Sequence, residues 1–479
     1  MQIGNRFRCY PTPSQAQTLL AWIGCQRFIY NAKVGEDRYF RRFARKSLGH
    51  TGVRTPIDQQ YSHFKTEQTP WLGEVPSQIL RNGATLWKQA YGRYFSKLAG
   101  RPTIQRKIGC QSVWITSELF SFKPVPNKDT GEISRYTLHI GTAKFALGEI
   151  KFTAHKDFKP PASLHISIHA GRWHVSFNYD DGVPEPSVQQ TTEYLMQFTE
   201  SELREVTVGL DRGVSLPLAG SDGQRFEFSD IQQRRLAKQE RHKKRWQRRQ
   251  ARRSKGSKNW LKATRKVARY QRYGVDVRRD LAHKTSFNLA TDPRYKLFVF
   301  EALKLANMTK RAKPKQDEHG RWIKNGASAK SGLNKAILAS TWGKTKAYLD
   351  YKSRRLGKLA IEVPAFYSSQ ECAACGHTHS DNRPSRAAFV CQRCNHTDHA
   401  DHNAAVVLAK RGVRLVLSGA CVQKKSKKCG ILKNKVGEVI SEPVASMPPT
   451  LGETEVSRVG GNTPTLWSLT QETPATASA

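Results

Sequence analysis

The chain has 479 residues, with 80 Lys or Arg against 39 Asp or Glu and a formal net charge of +41. Such a length holds roughly two to four domains with real cores, and such a charge suits a polyanion far better than a small-molecule site. No apolar run reaches membrane-spanning length, no lipidation signal is visible, and the start Met1-Gln2-Ile3-Gly4-Asn5-Arg6 lacks the apolar stretch of a signal peptide. The expectation is a cytoplasmic protein without a membrane partner, in a compartment where paired cysteines favour metal over disulfide.

In chain order, residues 3–10 read as a short strand ending at Pro11. Residues 12–107 read as mainly helical. Ser14 is placed to cap a helix carrying Leu19, Leu20, Trp22, Ile23 and Phe28, and a second helix follows Pro76. From about 112 to 180 the apolar period drops to two. Strands at 136–140, 151–154, 164–168 and 173–177, separated by Gly, Pro and Asp turns, predict a small antiparallel barrel or sheet. Residues 3–10 would supply its first strand, with the helical block inserted. Residues 184–204, rich in Pro, Gln, Thr and Glu, read as a linker.

A second block starts at Val206 with strand, turn and strand. A long helical region at 230–290 follows, then a strand at 296–300, a basic loop at 309–330, a helix at 332–356 and a strand at 359–363. This order fits an α/β layer fold. A helix is expected from Ala404 to Arg411. Beyond Gly412 periodicity is lost, and residues 441–479, rich in Pro, Thr, Ser and Gly, read as disordered.

Cys372, Cys375, Cys391 and Cys394 form two C-x2-C pairs fifteen residues apart. Each pair closes a turn that aims two sulfurs at one metal, and two such turns complete a tetrahedral zinc shell. Four thiolates leave no open position for a catalytic water, so one zinc ion with a structural role is predicted. The other cysteines (Cys9, Cys25, Cys110, Cys421 and Cys429) are scattered and read as small buried or surface residues.

Three acids stand out. Asp211 closes the apolar run 206–210, Glu301 closes 297–300, and Asp401 opens the run Asp401-His402-Asn403-Ala404-Ala405. Singly, each has a plain explanation as a strand-end turn or a helix cap. Together they form an oxygen-rich set of the kind that holds Mg²⁺, and two such ions ~3.5–4 Å apart suit phosphodiester hydrolysis.

The stretch from Arg234 to Lys258 carries thirteen Lys or Arg and one acid, Glu240, with Trp246 interleaved and Trp260 just beyond. Arg234, Arg235, Lys238, Arg241, Lys243, Lys244, Arg245, Arg248, Arg249, Arg252 and Arg253 predict a rail along a phosphate backbone, rather than a merely solvated helix face. So many like charges repel one another along a helix, and a bound polyanion relieves that.

The motifs Gly209-Leu210-Asp211-Arg212-Gly213, Phe300-Glu301-Ala302-Leu303, the two cysteine knuckles and Asp401-His402-Asn403 occur in the order of the TnpB/OrfB family. The chain resembles these RNA-guided nucleases of bacterial and archaeal insertion sequences, relatives of compact type V CRISPR effectors. The opening Arg6–Thr12 and Gly24–Asn31, Gly100-Arg101-Pro102 and His283-Lys284-Thr285-Ser286 resemble that family too, so the likeness spans roughly residues 3–412.

The resemblance implies a multidomain α+β protein. Its parts would be a β-barrel of the WED type (1–11 and 108–183), an inserted helical recognition domain (12–107), an RNase H-like RuvC nuclease domain (205–370 and 396–412), an inserted four-cysteine zinc ribbon (371–395) and a tail (413–479). It implies that Asp211, Glu301 and Asp401 are the nuclease acids holding two Mg²⁺. It implies as partners a guide RNA from the parent element and a double-stranded target DNA with a short flanking motif. Gln78, Arg81 and Asn82, near a helix start, are candidate readers of base edges. Asn395 stands where the family often has Gly, so the second knuckle turn is expected to differ slightly. Asp398 competes with Asp401, but its spacing to Asn403 does not match. Alternatives in function are a compact type V CRISPR effector, a guided DNA-binding repressor that does not cleave, and a strand-joining transposase. Monomer or dimer is left open.

Overall fold

The structure is a computed structural model that describes residues 2–44, 57–107, 111–125, 135–154 and 158–419. Cys110, Cys421, Cys429 and the expected disorder at 441–479 lie outside the described residues.

The first sheet has seven antiparallel strands: β1 (Gln2–Tyr10), β2 (Gln111–Thr116), β3 (Phe120–Val125), β4 (Arg135–Gly141), β5 (Ala146–Thr153), β6 (Ser163–His169) and β7 (Arg172–Asp180). Their order is β2-β6-β7-β1-β5-β4-β3, so the N-terminal strand sits at the centre. In a flat sheet β7 and β3 would be about 19 Å apart. The Phe122 and Phe177 rings are nevertheless 5.6 Å apart, with Phe158 packed on both, so the sheet curls strongly around its aromatic face. Among the described residues the edges β2 and β3 do not pair, and the barrel is not closed by hydrogen bonds.

Helix α1 (Pro13–Tyr39) begins earlier than expected. Thr12, not Ser14, is its N-cap, in a capping box with Gln15. Helix α2 (Ser77–Phe95) packs on α1. Leu19, Trp22, Ile23, Ile79 and Leu80 share one core with Phe7, Val113, Ile115 and Ile150 of the sheet. The helical block is therefore fused to the sheet through a common core, not a module standing apart from it.

Residues 184–204 are not a linker. They form α3 (Val188–Leu195) and α4 (Glu200–Glu205), each opened by a capping box, Ser187 with Gln190 and Thr199 with Glu202. Leu195 and Leu203 are fully buried in the second core. The polar composition that suggests a linker is the composition of two helix N-termini.

The second sheet joins β8 (Thr207–Asp211), β9 (Leu218–Gly220), β10 (Arg225–Phe226), β11 (Leu297–Glu301) and, after the small hairpin β12 (Lys315–Gln316) and β13 (Trp322–Ile323), β14 (Leu359–Val363). Its order is β10-β9-β8-β11-β14, with β8, β11 and β14 parallel and β9 antiparallel to β8. The long helical region is a hairpin of α5 (Asp230–Ala251) and α6 (Lys258–Thr291). After the short α7 (Leu305–Met308), the expected single helix at 332–356 is two, α8 (Ala327–Ala339) and α9 (Trp342–Arg355), parted where Thr341 takes a left-handed backbone, φ +63°. Strand alternation feeds two layers. Phe298 and Phe300 pack with Leu289 and Leu349 from α6 and α9. Leu297 and Val299 face α3, α4 and α10 (Ala400–Leu417). Helix α10 outlasts the expected end at Arg411, and Val413 and Val416 are buried in that core.

Candidate active site and nucleic-acid surfaces

Period two also aims the acids. On β8, Val208 and Leu210 belong to the α6 side, so Gly209 and Asp211 face α10. On β11, Glu301 falls on the side of Leu297 and Val299, again toward α10. Leu210 pairs with Phe300 in parallel register, so Asp211 and Glu301 leave adjacent strands at one level. Asp401, the second residue of α10, enters from the helix start.

Two glycines let the helix come this close. A Cβ on Gly209 would overlap the Ala405 carbonyl, and one on Gly412 would overlap the Val299 side chain. Gly209 is further clasped by Ser221, whose hydroxyl accepts its N–H at 3.0 Å and whose N–H donates to its carbonyl at 2.9 Å.

The electrostatics of the cluster are adverse. Burial, followed by the charges of Glu301 and Asp401, pushes the Asp211 carboxyl up to about 7; the Arg383 guanidinium opposes this. Glu301 is raised as well, mainly by burial, with Arg212 opposing. Arg212 is itself buried. It donates to the Glu301 backbone carbonyl, lies 3.9 Å from Glu362 and sits over the Phe300 ring. Arg383 reaches Asp401 at 3.6 Å. The three acids are near enough for the charges of Glu301 and Asp401 to add to the effect of burial on Asp211, but unlike the four cysteines they do not bring their ligand atoms within 4.8 Å of one another.

The residues after Asp401 act as a coupling that spacing alone does not reveal. His402 Nδ1 lies 2.7 Å from Asp398 Oδ2, and its Nε2 lies 3.2 Å from the Ser221 carbonyl. Asp398 thus serves His402. Asn403, wholly buried, accepts from Ala373 N and donates to the Glu371 carbonyl, both at 2.8 Å. Lys410 and Arg411 add bonds to the Ala373 carbonyl and the Glu371 carboxylate. The first knuckle is thereby stitched to the helix that carries Asp401.

Cys372, Cys375, Cys391 and Cys394 bring their sulfurs within 4.8 Å of one another and could hold a metal ion. The Cys372–Cys394 and Cys375–Cys391 sulfurs are 3.7 and 3.6 Å apart. Tetrahedral zinc with ~2.3 Å bonds needs about 3.8 Å, so the residues fit the group. The two knuckles repeat each other. Gly376 N donates to the Cys372 carbonyl and Asn395 N to the Cys391 carbonyl. Both residues take left-handed backbones, φ +76° and +56°. The expected difference at Asn395 is absent, because asparagine tolerates that conformation. The structure finds Cys9 and Cys25 buried, with burial pushing each thiol up to about 12.

On α5, Arg234, Arg235, Lys238, Arg241, Lys244, Arg245, Arg248, Arg249 and Arg252 are exposed, and none pairs with a described carboxylate. Lys243 is half-buried against Glu240 at 2.7 Å, and Arg253 donates to the Asn259 carbonyl. Trp246 is half-buried under Arg249. The candidate base readers fare differently. Asn82 is buried and donates to the Trp114 carbonyl at 3.1 Å, so it is a structural residue and not a reader. Both Glu118 oxygens engage Arg81, at 2.8 and 2.9 Å. Gln78 is half-buried. The sequence signal for a reader, polar residues near a helix start, does not tell an outward position from one facing the sheet.

No described helix is long and apolar enough to cross a membrane.

Residues 1–34 match a model described as a helix-turn-helix domain of the OrfB proteins of IS605-type elements, although here they form a strand and most of one helix. Residues 185–312 match the OrfB model described as a probable transposase, and residues 342–408 match the Cas12f1-like TNB domain. The putative RNA-guided DNA endonuclease InsQ of Escherichia coli is 28% identical over 419 residues, covering 87% of this chain and 94% of that protein. A putative RNA-guided DNA endonuclease of Streptomyces pristinaespiralis is 26% identical over 409 residues, covering 84% and 87%. The CRISPR-associated endodeoxyribonuclease Cas12f1 of Sulfoacidibacillus thermotolerans is 40% identical over 55 residues, 12% of this chain and 13% of its own. With these models in succession along one chain and such relatives across nearly its full length, the chain is similar throughout to the TnpB/OrfB proteins of insertion sequences.

Proposed function

We propose that the protein is an RNA-guided DNA endonuclease of a transposable element. It would cut target DNA beside a short flanking motif by metal-dependent phosphodiester hydrolysis. The observation that carries this reading is the convergence of Asp211, Glu301 and Asp401 at one end of a mixed sheet, against a helix start. The strand order, with three parallel strands and one antiparallel neighbour, supports an RNase H-like, RuvC-type domain. The names of the long relatives support the substrate and the guide.

Asp211, Glu301 and Asp401 would hold two Mg²⁺, which when bound supply an activated water and stabilise the leaving oxygen. The chain's own part is placement. Gly209 and Gly412 set the depth of α10, Ser221 fixes the end of β8, and Asn403 fixes the angle of Asp401 through the knuckle. Cys372, Cys375, Cys391 and Cys394 would hold one structural zinc, leaving no site for a reacting water. The exposed cations of α5 would track a phosphate backbone of the guide RNA or its duplex with DNA, where base pairing and not the protein reads sequence. Action in the cytoplasm, on the nucleoid, follows from that substrate.

The test joins RNA and cleavage. RNA copurifying from the native locus is sequenced and used to programme Mg²⁺-dependent cutting by the parent and by Asp211→Ala. One discrete RNA running off the element's end, with cutting lost and target binding kept in the variant, is the expected result. Undiminished cutting by Asp211→Ala removes the acids from the reaction. Repeat-derived RNA makes the protein a CRISPR effector; programmed binding without cutting by the parent makes it a repressor; and strand transfer of element ends by protein alone makes it a transposase.

A further inference from the structure

Beyond the acids, the same end of the second sheet carries an unexplained pair of rings. Val363, the last residue of β14, pairs directly with Glu301. Pro364 and Ala365 follow, and then Phe366 and Tyr367, whose side chains are 78% and 66% exposed. Among the described residues neither ring stacks on another ring or on a cation. Three residues of chain span at most about 11 Å and four about 14 Å, which keeps Phe366 within about 16 Å and Tyr367 within about 19 Å of the Glu301 backbone.

The turn beneath the rings is fixed. Arg411 donates to the Pro364 carbonyl at 2.7 Å, Ser368 Oγ to the Ala365 carbonyl at 3.2 Å, and Gln370 N and Glu371 N both to the Tyr367 carbonyl at 2.9 Å. These bonds accompany a left-handed backbone at Tyr367, φ +58°. Glycine or asparagine meets that backbone at lower cost, and tyrosine gains no burial in return. Two apolar rings held outward on a rigid, strained turn beside a polyanion-cutting site have the properties of a stacking platform.

We infer that Phe366 and Tyr367 stack on unpaired bases of the DNA strand whose phosphodiester lies at Asp211, Glu301 and Asp401. This rests on the nuclease reading above. The occupant is a single strand because a paired base has its faces already covered by its neighbours. The net charge of +41 favours the strand over an apolar protein partner. Held bases orient the backbone that follows, so the pair acts by positioning and touches no reacting atom.

The test uses full-length Asp211→Asn protein with its copurified RNA and a short single-stranded DNA carrying 5-iododeoxyuridine. Near-ultraviolet crosslinking and peptide mapping should put the adduct on Phe366 or Tyr367. Adducts confined to Trp246, Trp260, Trp322 or other rings overturn the inference. In the cleaving protein, the double variant Phe366→Leu/Tyr367→Leu should lower the turnover rate about tenfold at unchanged zinc content, with Phe366→Trp/Tyr367→Phe restoring it. Full turnover by the leucine variant also overturns it. Failure of the nuclease reading looks different: an adduct on the pair in a protein that never cuts supports the stacking and discards the cleavage.

Discussion

The cysteine set and the acid set both gather side chains of a kind that can bind metals, yet they are made in opposite ways. The cysteines lie within 23 residues, Cys372 to Cys394, and two copies of one local turn bring them together. The acids span Asp211 to Asp401 and meet only because β8, β11 and α10 come together in the second core. The local set has its sulfurs at near-zinc spacing. The topological set buries carboxylates near one another, and the fold must hold them against the cost of burial first and their mutual repulsion second. Ligands made by local turns stabilise the region that makes them; ligands made by topology are a burden on the rest of the fold.

The largest effect that sharpens the contrast is on cutting. Asp211→Ala should lower cleavage on the order of 10³-fold or more, with no loss of thermal stability, because the residue removed was itself destabilising. Cys391→Ser should do the reverse. Bound zinc, measured by atomic absorption, falls from near stoichiometric to a small fraction, and the melting of the 371–399 region shifts downward. Cleavage then drops on the order of 10- to 100-fold, as an outlying support of a metal site does when lost. A cysteine variant that kept its zinc, or an acid variant that unfolded, would break the comparison.

Asn403 joins the two sets, and its replacement should have an intermediate effect. Asn403→Ala leaves Ala373 N and the Glu371 carbonyl without their buried partner, costing about 1–3 kcal/mol. Cleavage should fall about tenfold while zinc remains bound. Paired with Cys391→Ser in a double-mutant cycle, the losses should be less than additive, since both act through the seating of Asp401. Strict additivity would show that the knuckle does not reach the acid site through this residue.

Legibility in the sequence follows the same division. C-x2-C spacing is a local rule, and the structure places all four sulfurs together. The apolar runs ending in Asp211 and Glu301 mark strands and their ends. Their convergence with Asp401 is visible beforehand only through family resemblance, because no local pattern records which strands pair. Glycines at 209 and 412 are visible as letters, but their purpose, allowing α10 onto the sheet, exists only once the layers are stacked. The linker expected at 184–204 fails because composition hides what spacing shows: Ser187 to Gln190 and Thr199 to Glu202 are capping boxes. Asn82 fails as a reader because it shares the buried face of its helix with Ile79, a matter of helical periodicity and not of residue type.

The smallest effect is the most specific to the acid set. In the folded, metal-free chain Asp211 is raised to about 7, whereas an unfolded aspartate titrates near ~3.9. Between those values the folded state keeps a proton that the unfolded state has lost. This group's contribution to stability is therefore most favourable below pH ~4, declines as pH rises toward 7, and stays at its lowest above that. Asp211→Asn removes the charge while keeping the shape. In chelator at pH 8 it should melt at least ~3 °C above the parent, and the gap should close as the pH is lowered toward 4. Adding Mg²⁺ at pH 8 should narrow the gap from the other side, by stabilising the parent alone. A gap that ignored both pH and Mg²⁺ would mean that packing around residue 211, and not the buried charge of its carboxylate beside Glu301 and Asp401, sets its cost.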